Sequence, residues 1–490
     1  MEIKNFADIR AIFFDNITIK QTIFKNTFWL GLGIGVAKFL KLILIMYVAR
    51  VLGATEYGKF TFALSFISMF LLIADMGLDE IVIREFSREK GREKEFYSVL
   101  SLKILLILAT LALIFIGSFF ITPDITIRKI IWILAFFCVI ENFSLIIYCI
   151  FQALQRMEYQ AWATILEALS VTGAGFFVIL NYPSVENLSY AYLFSSLIAL
   201  IFVLSFFHFK IFPLRISWEK SIWKKFLLMA WPLALASFFG EFYTYTDSVM
   251  MGHWKLITET GWYNAAYRII MITFIPMDLL AASFYPVLSK FFKESKERLQ
   301  ETWSYQMEIM ILLAVPIVIG GIALAPRIIN FVYGSKFIPS ILTLQILILM
   351  TGIIFLCTPF QDILIVSNQQ KKFFWITSSA GIINVILNLI LIPKLSLYGA
   401  AITKVITYFL ILFLFFEFAK KFTPIKPYNI KFLFSFILAF LSSALMYFVI
   451  TQPKIYYLNI LFSILIGAVV YIITFFILRK ILNYFKYHYA

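Results

Sequence analysis

Fourteen long apolar runs dominate this chain of 490 residues. Each is close to the roughly 20 residues that an α-helix needs to cross the hydrocarbon core of a bilayer. Lipid offers no partner to unpaired backbone groups, so runs of this length favour helices, whereas a β-barrel needs shorter, alternating strands. We therefore predict an all-α polytopic membrane protein with spans at 27–49, 61–83, 99–121, 130–151, 161–180, 187–209, 226–250, 262–285, 306–325, 340–366, 373–392, 399–416, 432–450 and 457–478.

The distribution of positive charge tests this count. The formal net charge is +15, which in a soluble protein would suggest nucleic acid. With the N-terminus inside, 28 of the 42 Lys and Arg residues fall on inside segments and nine on outside segments. This is the positive-inside pattern, and one missed span would reverse every later loop. The bias indicates an even number of spans, cytoplasmic N- and C-termini and no nucleic-acid partner.

The residues that usually carry metal or redox chemistry are few. Cys138, Cys149 and Cys357 all lie inside apolar runs, and the three histidines are scattered, so we expect packing residues and no metal site. No loop contains a phosphate-cradling glycine motif. We therefore expect no direct use of ATP hydrolysis and no cofactor beyond a coupling Na⁺ or H⁺.

A short internal similarity suggests a repeat. The segment EYGKFTFA at 56–63 resembles GWYNAA at 261–266 when Gly58 is aligned with Gly261, an offset of 203 residues. Each follows the first span of a six-span half, and halves of six spans share one orientation. We therefore expect two parallel six-helix lobes. The predicted divisions are a cytoplasmic N-terminal segment (amphipathic if helical) at 1–26, an N-lobe at 27–209, a linker at 210–225, a C-lobe at 226–416 and two additional helices at 432–478.

Two lysines lie deep in the first predicted span. Charges inside a membrane are costly and usually face a cavity or a partner. Lys41 is one helical turn from Lys38, on the same face. One interpretation is an ion pair with Glu141 or Glu241. The other, which we favour because two lysines exceed what one carboxylate needs, is a cationic lining for an anionic substrate headgroup.

Four carboxylates are candidates for a coupling-ion site or for structural ion pairs: Asp75, Glu141, Glu241 and Asp247. Asp75 precedes Met-Gly, which also suggests a role at a helix end. Asp247 and Arg268 lie near the outside ends of adjacent spans, so we expect them to pair across that hairpin. Arg268 is in addition a candidate for the headgroup site.

The remaining polar residues inside spans have simpler predictions. Lys103 and Lys404 are near span ends and are expected to extend their ammonium groups to the interface. Asn384 and Asn388 lie one helical turn apart, and we favour hydrogen bonds between helices for both.

Several segments together have a familiar order and spacing. They are LGATEYG at 52–58, DMGL at 75–78, the stretch from Tyr245 to Arg268, AVP at 314–316 followed by FVYG at 331–334, and NVILNLILIP at 384–393 with GAA at 399–401. This set resembles the polysaccharide-biosynthesis flippases of the multidrug/oligosaccharidyl-lipid/polysaccharide exporter superfamily, over residues 20 to 480.

The resemblance implies a transporter that is not an enzyme, with two six-helix lobes around a V-shaped cationic cavity that works by alternating access. It implies a lipid-linked oligosaccharide as substrate, a cell-membrane location among membrane lipids, and glycosyltransferases or a polymerase of the same pathway as partners. An alternative is a Na⁺- or H⁺-coupled multidrug exporter of the same fold. A membrane glycosyltransferase or polymerase would need a catalytic carboxylate on an external loop, where Asp124 is one of few.

Overall fold

The computed structural model describes residues 13–88, 91–456 and 458–489, and at 19–20, 232–233, 236–237, 239–241 and 482–489 it describes the backbone only. These ranges are built from helices joined by short turns. The helices are α1 (Ile19–Leu52), α2 (Ala54–Asp75), α3 (Leu78–Arg88), α4 (Glu93–Ile121), α5 (Ile125–Ala153), α6 (Met157–Asn181), α7 (Val185–Lys210), α8 (Lys220–His253), α9 (Ile257–Thr273), α10 (Ile275–Glu294), α11 (Lys296–Val332), α12 (Ser340–Val366), α13 (Gln370–Leu395), α14 (Leu397–Phe422), α15 (Ile430–Ile450), α16 (Pro453–Tyr456) and α17 (Ile460–Tyr489).

The all-helical membrane fold is confirmed. Among the described residues, thirteen helical segments are long and apolar enough to cross a membrane, two of them formed by consecutive helices, α2 with α3 and α9 with α10. The predicted count of fourteen is not confirmed. The helix α8 takes the place of the predicted span at 226–250, and several of its side chains are outside the described set.

Two predicted spans are interrupted. The span predicted at 61–83 is two helices, because Met76 and Gly77 adopt φ angles of 49° and 70°. The amide of Gly77 donates to Oδ2 of Asp75 at 3.1 Å, so Asp75 does have a role at a helix end. The span predicted at 262–285 is interrupted at Phe274, and α10 then starts with a proline in its first turn, a position where the missing N–H is not needed.

The chain divides into two compact units, Met1–Thr258 and Glu259–Ala490. Each has a buried apolar cluster, one around Phe96 and Phe151 and the other around Trp303 and Phe360. The division falls later than the predicted linker at 210–225, since α8 packs against α2, α3 and α4 of the first unit. The predicted lobes remain a prediction.

The predicted offset of 203 residues recurs in the helix starts. Ala54 and Ile257 begin α2 and α9, and Glu93 and Lys296 begin α4 and α11, each pair 203 residues apart. Thr55 and Thr258, at the same offset, share a hydrogen bond of 2.9 Å between their hydroxyls.

Small residues bring α1 and α6 close together. A Cβ on Gly33 would lie 2.8 Å from Cα of Ala161, and one on Gly175 would lie 2.7 Å from Leu44. The contacts advance in the same direction along both helices, so α1 and α6 run parallel. Close approach through small residues is typical of helix pairs in membranes. This packing positions the polar side chains of α6 against those of α1.

The hairpin between α13 and α14 leaves no room for a side chain at Gly399. An added Cβ would lie 2.3 Å from the carbonyl oxygen of Leu391, so the start of α14 would have to move. We expect Gly399→Ala to lower the free energy of unfolding by about 1–3 kcal/mol. Thermal unfolding of the purified variant measures this.

The matched control is Gly381→Ala on α13, where an added Cβ meets no atom within 4 Å. Alanine in a helix interior is favoured over glycine by roughly 0.5–1 kcal/mol, so the control should be neutral or stabilising. Equal effects of the two substitutions would contradict the proposed steric origin.

Candidate functional site: lysine–carboxylate clusters

Lys41 lies between two glutamates from different helices. Its Nζ is 2.9 Å from Oε1 of Glu141 on α5 and 2.7 Å from Oε1 of Glu167 on α6. We call Lys41, Glu141 and Glu167 the lysine triad. The first of the two interpretations of Lys41, an ion pair with Glu141, is therefore observed. Glu167 is a second carboxylate partner of the same ammonium group.

The lysine triad is deep within its helices and still accessible. Lys41 is separated from the end of α1 at Leu52 by about 16 Å of helix rise, and Glu141 and Glu167 also lie near the middle of their helices. The exposed fractions of the side chains are 33% for Lys41, 33% for Glu141 and 11% for Glu167. The cluster contains one ammonium and two carboxylates, so its net charge is negative when both carboxylates are ionised. One of the glutamates can then accept a proton, and the Lys41 ammonium can exchange one anionic partner for another.

Lys38 lies one turn before the triad, and its side chain is exposed. It shares a face of α1 with Gly35 and Gly31, which precede it by one and two turns, and a Cβ added to either glycine meets no atom within 4 Å. Among the described residues, Lys38 has no ion pair or hydrogen bond. Lys38 therefore presents to open space a positive charge that no carboxylate of the described residues neutralises. The neighbouring Lys41, by contrast, is neutralised by Glu141 and Glu167.

Lys103 is part of a second cluster. It is fully buried, and its Nζ lies 3.3 Å from Oδ1 of Asp75 and 3.3 Å from Oδ1 of Asp79. The prediction that Lys103 extends to the interface is wrong, because the break between α2 and α3 places two carboxylates within its reach. Lys404 is also buried, with 1% of its surface exposed, so the same prediction is wrong there. Asp75 is thus joined to Lys103, not to the triad.

Lys25 forms a third, completely buried cluster. Its Nζ lies 3.1 Å from Oε2 of Glu158, and it donates to Oδ1 of Asn16 at 2.7 Å and to the carbonyl of Gln155 at 3.1 Å. The exposed fractions of the Lys25 and Glu158 side chains are 0% and 1%. This cluster joins the start of α1 to the turn between α5 and α6.

Other predicted residues lie elsewhere. Asp247 is buried on α8, and Arg268 is half-buried on α9 in the second unit. The side chain of Glu241 is outside the described residues. Asn384 donates to Oγ1 of Thr407 on α14 at 3.4 Å, and Asn388 donates to Oδ1 of Asn384 at 3.1 Å, so these asparagines contribute a hydrogen bond between α13 and α14.

Sequence reasoning missed Glu167, although a signal for it was present. Glu167 falls inside the span predicted at 161–180, where a carboxylate is as costly as a lysine and calls for a partner. Asp79 and Glu158 were missed as well. Asp79 lies close to the helix break, and Glu158 lies just before a predicted span. In the described parts of the chain, no group of three or more His, Cys, Asp or Glu residues is arranged to hold a metal ion.

The geometry can be compared with known proteins. In sequence, the chain is 23% identical over 399 residues to the "Probable low-salt glycan biosynthesis flippase Agl15" of Haloferax volcanii, covering 78% of this chain and 80% of that protein. It is 21% identical to the "Capsular polysaccharide biosynthesis protein CapF" of Staphylococcus aureus, covering 78% of this chain and 95% of the relative.

Solved structures show the same fold. The inward closed conformation of the lipid II flippase MurJ matches with a TM-score of 0.75 at 18% identity, covering 92% of this chain and 99% of the other. An inward-facing multidrug resistance transporter of the MATE family matches with a TM-score of 0.65 at 16% identity, covering 79% and 94%.

Family models agree with these likenesses. The model described as polysaccharide biosynthesis protein matches residues 23–292, which is more than half of the chain, and the MatE model matches residues 232–390. The chain therefore belongs to the polysaccharide biosynthesis protein family, within the multidrug/oligosaccharidyl-lipid/polysaccharide exporter superfamily.

Proposed function

We propose that this protein moves an isoprenoid-pyrophosphate-linked oligosaccharide from the inner to the outer leaflet of the cell membrane, for assembly of a surface glycan. In this proposal both termini are cytoplasmic, and glycosyltransferases or a polymerase of the same pathway act before and after it. The observation that carries the proposal is the stripe formed by Lys38 and Lys41 on α1, deep in the membrane and accessible. The relatives named as glycan biosynthesis flippases support the substrate class.

The chemistry of the stripe suits a pyrophosphate. Lysine ammonium groups are compact point charges with three donors, and they bind phosphate oxygens through charge-assisted hydrogen bonds. Lys38 has no competing carboxylate among the described residues, so it is the first contact in this proposal. The lipid chain stays in the bilayer while the headgroup crosses through a cationic cavity by alternating access.

The lysine triad supplies a coupling step in the same proposal. A pyrophosphate that binds Lys41 must compete with Glu141 and Glu167, which already lie within 2.9 Å and 2.7 Å of its Nζ. Protonation of one glutamate neutralises its carboxylate, so that only one carboxylate still competes with the pyrophosphate for the Lys41 ammonium. Loss of that proton restores the second ion pair. We therefore propose H⁺ as the coupling ion, taken up with the headgroup and released when the headgroup leaves.

Replacement of Lys38 tests the headgroup site. We expect Lys38→Ala to slow translocation of a fluorescent pyrophosphate-linked lipid oligosaccharide in proteoliposomes by about tenfold, because a hydrogen bond to a charged group contributes roughly 1.5–3 kcal/mol. Lys38→Arg keeps the charge and should retain most of the rate. Quenching of the fluorophore from outside measures the rate.

The control is Lys394→Ala, which removes another exposed lysine, near the end of α13. A normal rate in Lys38→Ala would exclude this headgroup site and leave the function open. Failure of the wild-type protein to move any lipid-linked oligosaccharide would reject the function itself.

One observation favours a second candidate, a cation-coupled multidrug exporter. The triad has one carboxylate more than it has ammonium groups, and an accessible carboxylate can bind an organic cation. This candidate predicts efflux of cationic dyes driven by a pH or Na⁺ gradient, and loss of that efflux in Glu141→Gln. Dye transport with no movement of the lipid-linked oligosaccharide would decide for the exporter.

A further inference from the structure

A cluster of lysines that does not include the lysine triad lines a cavity in the second unit. The cavity has a volume of about 510 Å³ and is lined by Lys372 at the start of α13 and by Glu417, Phe418, Lys420, Lys421 and Phe422 at the end of α14. Three ammonium groups against one carboxylate give it a positive balance. None of the three lysines forms an ion pair with a carboxylate among the described residues.

Two of the three ammonium groups lie over one aromatic ring, and the third is hydrogen-bonded to a tyrosine. Nζ of Lys372 lies 4.6 Å from the centre of the Phe422 ring, and Nζ of Lys421 lies 5.4 Å from the same centre. Lys420 donates to the hydroxyl of Tyr428 at 3.2 Å. A cation over an aromatic face keeps its remaining donors available, so the cluster can still bind an anion.

An apolar groove lies along the turns of α14 that precede the residues of this cavity. It has a volume of about 310 Å³, and its lining includes Met307 on α11, Phe413 and Phe416 on α14, and Phe432 on α15. Tyr428 contacts one lining residue of each space, because its ring packs on Phe416 with centroids 5.1 Å apart while its hydroxyl accepts from Lys420. Positive charge and a narrow hydrocarbon surface therefore meet at one place.

The position of the cavity fits a membrane surface. The ends of α13 and α14 that carry these lysines lie on the side that the charge bias predicts to be cytoplasmic, where anionic lipid headgroups attract clustered Lys and Arg. A soluble anion would use the lysines and leave the apolar groove without a ligand. A phospholipid uses both, with the phosphate on the ammonium groups and a hydrocarbon chain along the groove.

We propose that the cavity lined by Lys372, Lys420 and Lys421, together with the apolar groove, is a binding site for an anionic glycerophospholipid of the surrounding bilayer. The phosphodiester contacts the three lysines, and Glu417 favours a singly charged headgroup over a more highly charged one. This site is separate from the proposed headgroup site on α1 and does not depend on the proposed function.

Native mass spectrometry of the detergent-purified full chain tests the site. The protein is titrated with phosphatidylglycerol and, separately, with phosphatidylcholine of the same acyl chains. We expect the first tightly bound lipid to prefer phosphatidylglycerol by at least about tenfold, since each lysine near a lipid surface contributes roughly a fivefold gain. The variant Lys372→Gln/Lys420→Gln/Lys421→Gln should reduce this preference to about twofold or less.

The matched control removes the same charge elsewhere in the unit, as Lys336→Gln/Lys394→Gln/Lys454→Gln, three exposed lysines outside the cavity. It should keep the preference. A loss of preference in the control, or its retention in the cavity variant, would overturn the proposal.

A third titration uses inorganic phosphate and pyrophosphate. If either anion binds saturably and blocks phosphatidylglycerol at equal concentration, the ligand of the cavity is a soluble anion and not a lipid. A change in bound lipid with no change in the melting temperature of the cavity variant separates lost binding from lost folding.

Discussion

Lys25→Met is expected to lower the free energy of unfolding by about 3–5 kcal/mol, because it removes the buried cation beside the Glu158 carboxylate. The only cation left to Glu158 among the described residues is then the exposed Arg156, whose Nη1 lies 3.6 Å from Oε1 of Glu158. The Lys25 and Glu158 side chains have exposed fractions of 0% and 1%, so water cannot replace the missing partner. The substitution also removes the donors to Asn16 and Gln155, which join the start of α1 to the turn between α5 and α6. Thermal unfolding of the purified protein in detergent measures the loss.

An exposed ion pair provides the control for this prediction. Nζ of Lys129 lies 2.5 Å from Oε1 of Glu186, and the exposed fractions are 49% and 34%. Exposed pairs contribute about 0–1 kcal/mol, so Lys129→Met should change stability little. The double variant Lys25→Met/Glu158→Leu removes both buried charges and should recover most of the stability. If Lys25→Met and Lys129→Met had equal effects, the importance of burial at this cluster would be refuted.

Changes in the lysine triad should have the largest effect on transport. Lys41→Ala leaves Glu141 and Glu167 facing each other without a cation, and we expect translocation to fall by more than about tenfold. Glu167→Gln is more informative, because it keeps one ammonium and one carboxylate. Because glutamine at position 167 is neutral at every pH, it cannot bind the coupling proton. Translocation should therefore continue but lose its response to a pH gradient.

The measurement compares initial translocation rates in proteoliposomes under a proton gradient that runs in the direction of headgroup movement, because H⁺ is taken up and released with the headgroup, and with that gradient collapsed by an ionophore. Wild type should slow when the gradient is removed, whereas Glu167→Gln should give equal rates. Glu186→Gln, in an exposed pair with Lys129, is the control and should respond like wild type. If Glu167→Gln kept the full response, Glu167 would be excluded as the proton site, and a full response in Glu141→Gln as well would exclude the proposed coupling step.

The fold followed from local properties of the sequence to a large extent. Long apolar runs predicted helices because a membrane leaves backbone groups no other partner, and the helices are found where the runs are. The helix break at Met76 and Gly77 was predicted only in part, because the sequence suggested a role at a helix end for Asp75 but placed one continuous span at 61–83. The offset of 203 residues, inferred from one short similarity, recurs at the starts of α2, α9, α4 and α11.

The candidate site was less predictable. The sequence marked Lys41 and Glu141 as costly charges that needed partners, and the structure joins them. It did not indicate that Glu167 completes the group, or that Lys103 binds Asp75 and Asp79 in place of reaching the interface. The two glutamates that pair with Lys41 are 100 and 126 residues away along the chain, and hydrophobic periodicity does not specify which helices become neighbours.

The sequence by itself thus determined that Lys38 and Lys41 lie deep in a membrane helix, because the length of the apolar run sets their depth. Only the tertiary structure decided that they differ. Close packing of Gly33 on Ala161 and of Leu44 on Gly175 holds α6 against α1, and this contact brings Glu167 to Lys41. Lys38, one turn away, faces open space and meets no such carboxylate among the described residues. Helix contacts depend on shape at the interface, which the run of apolar residues does not encode.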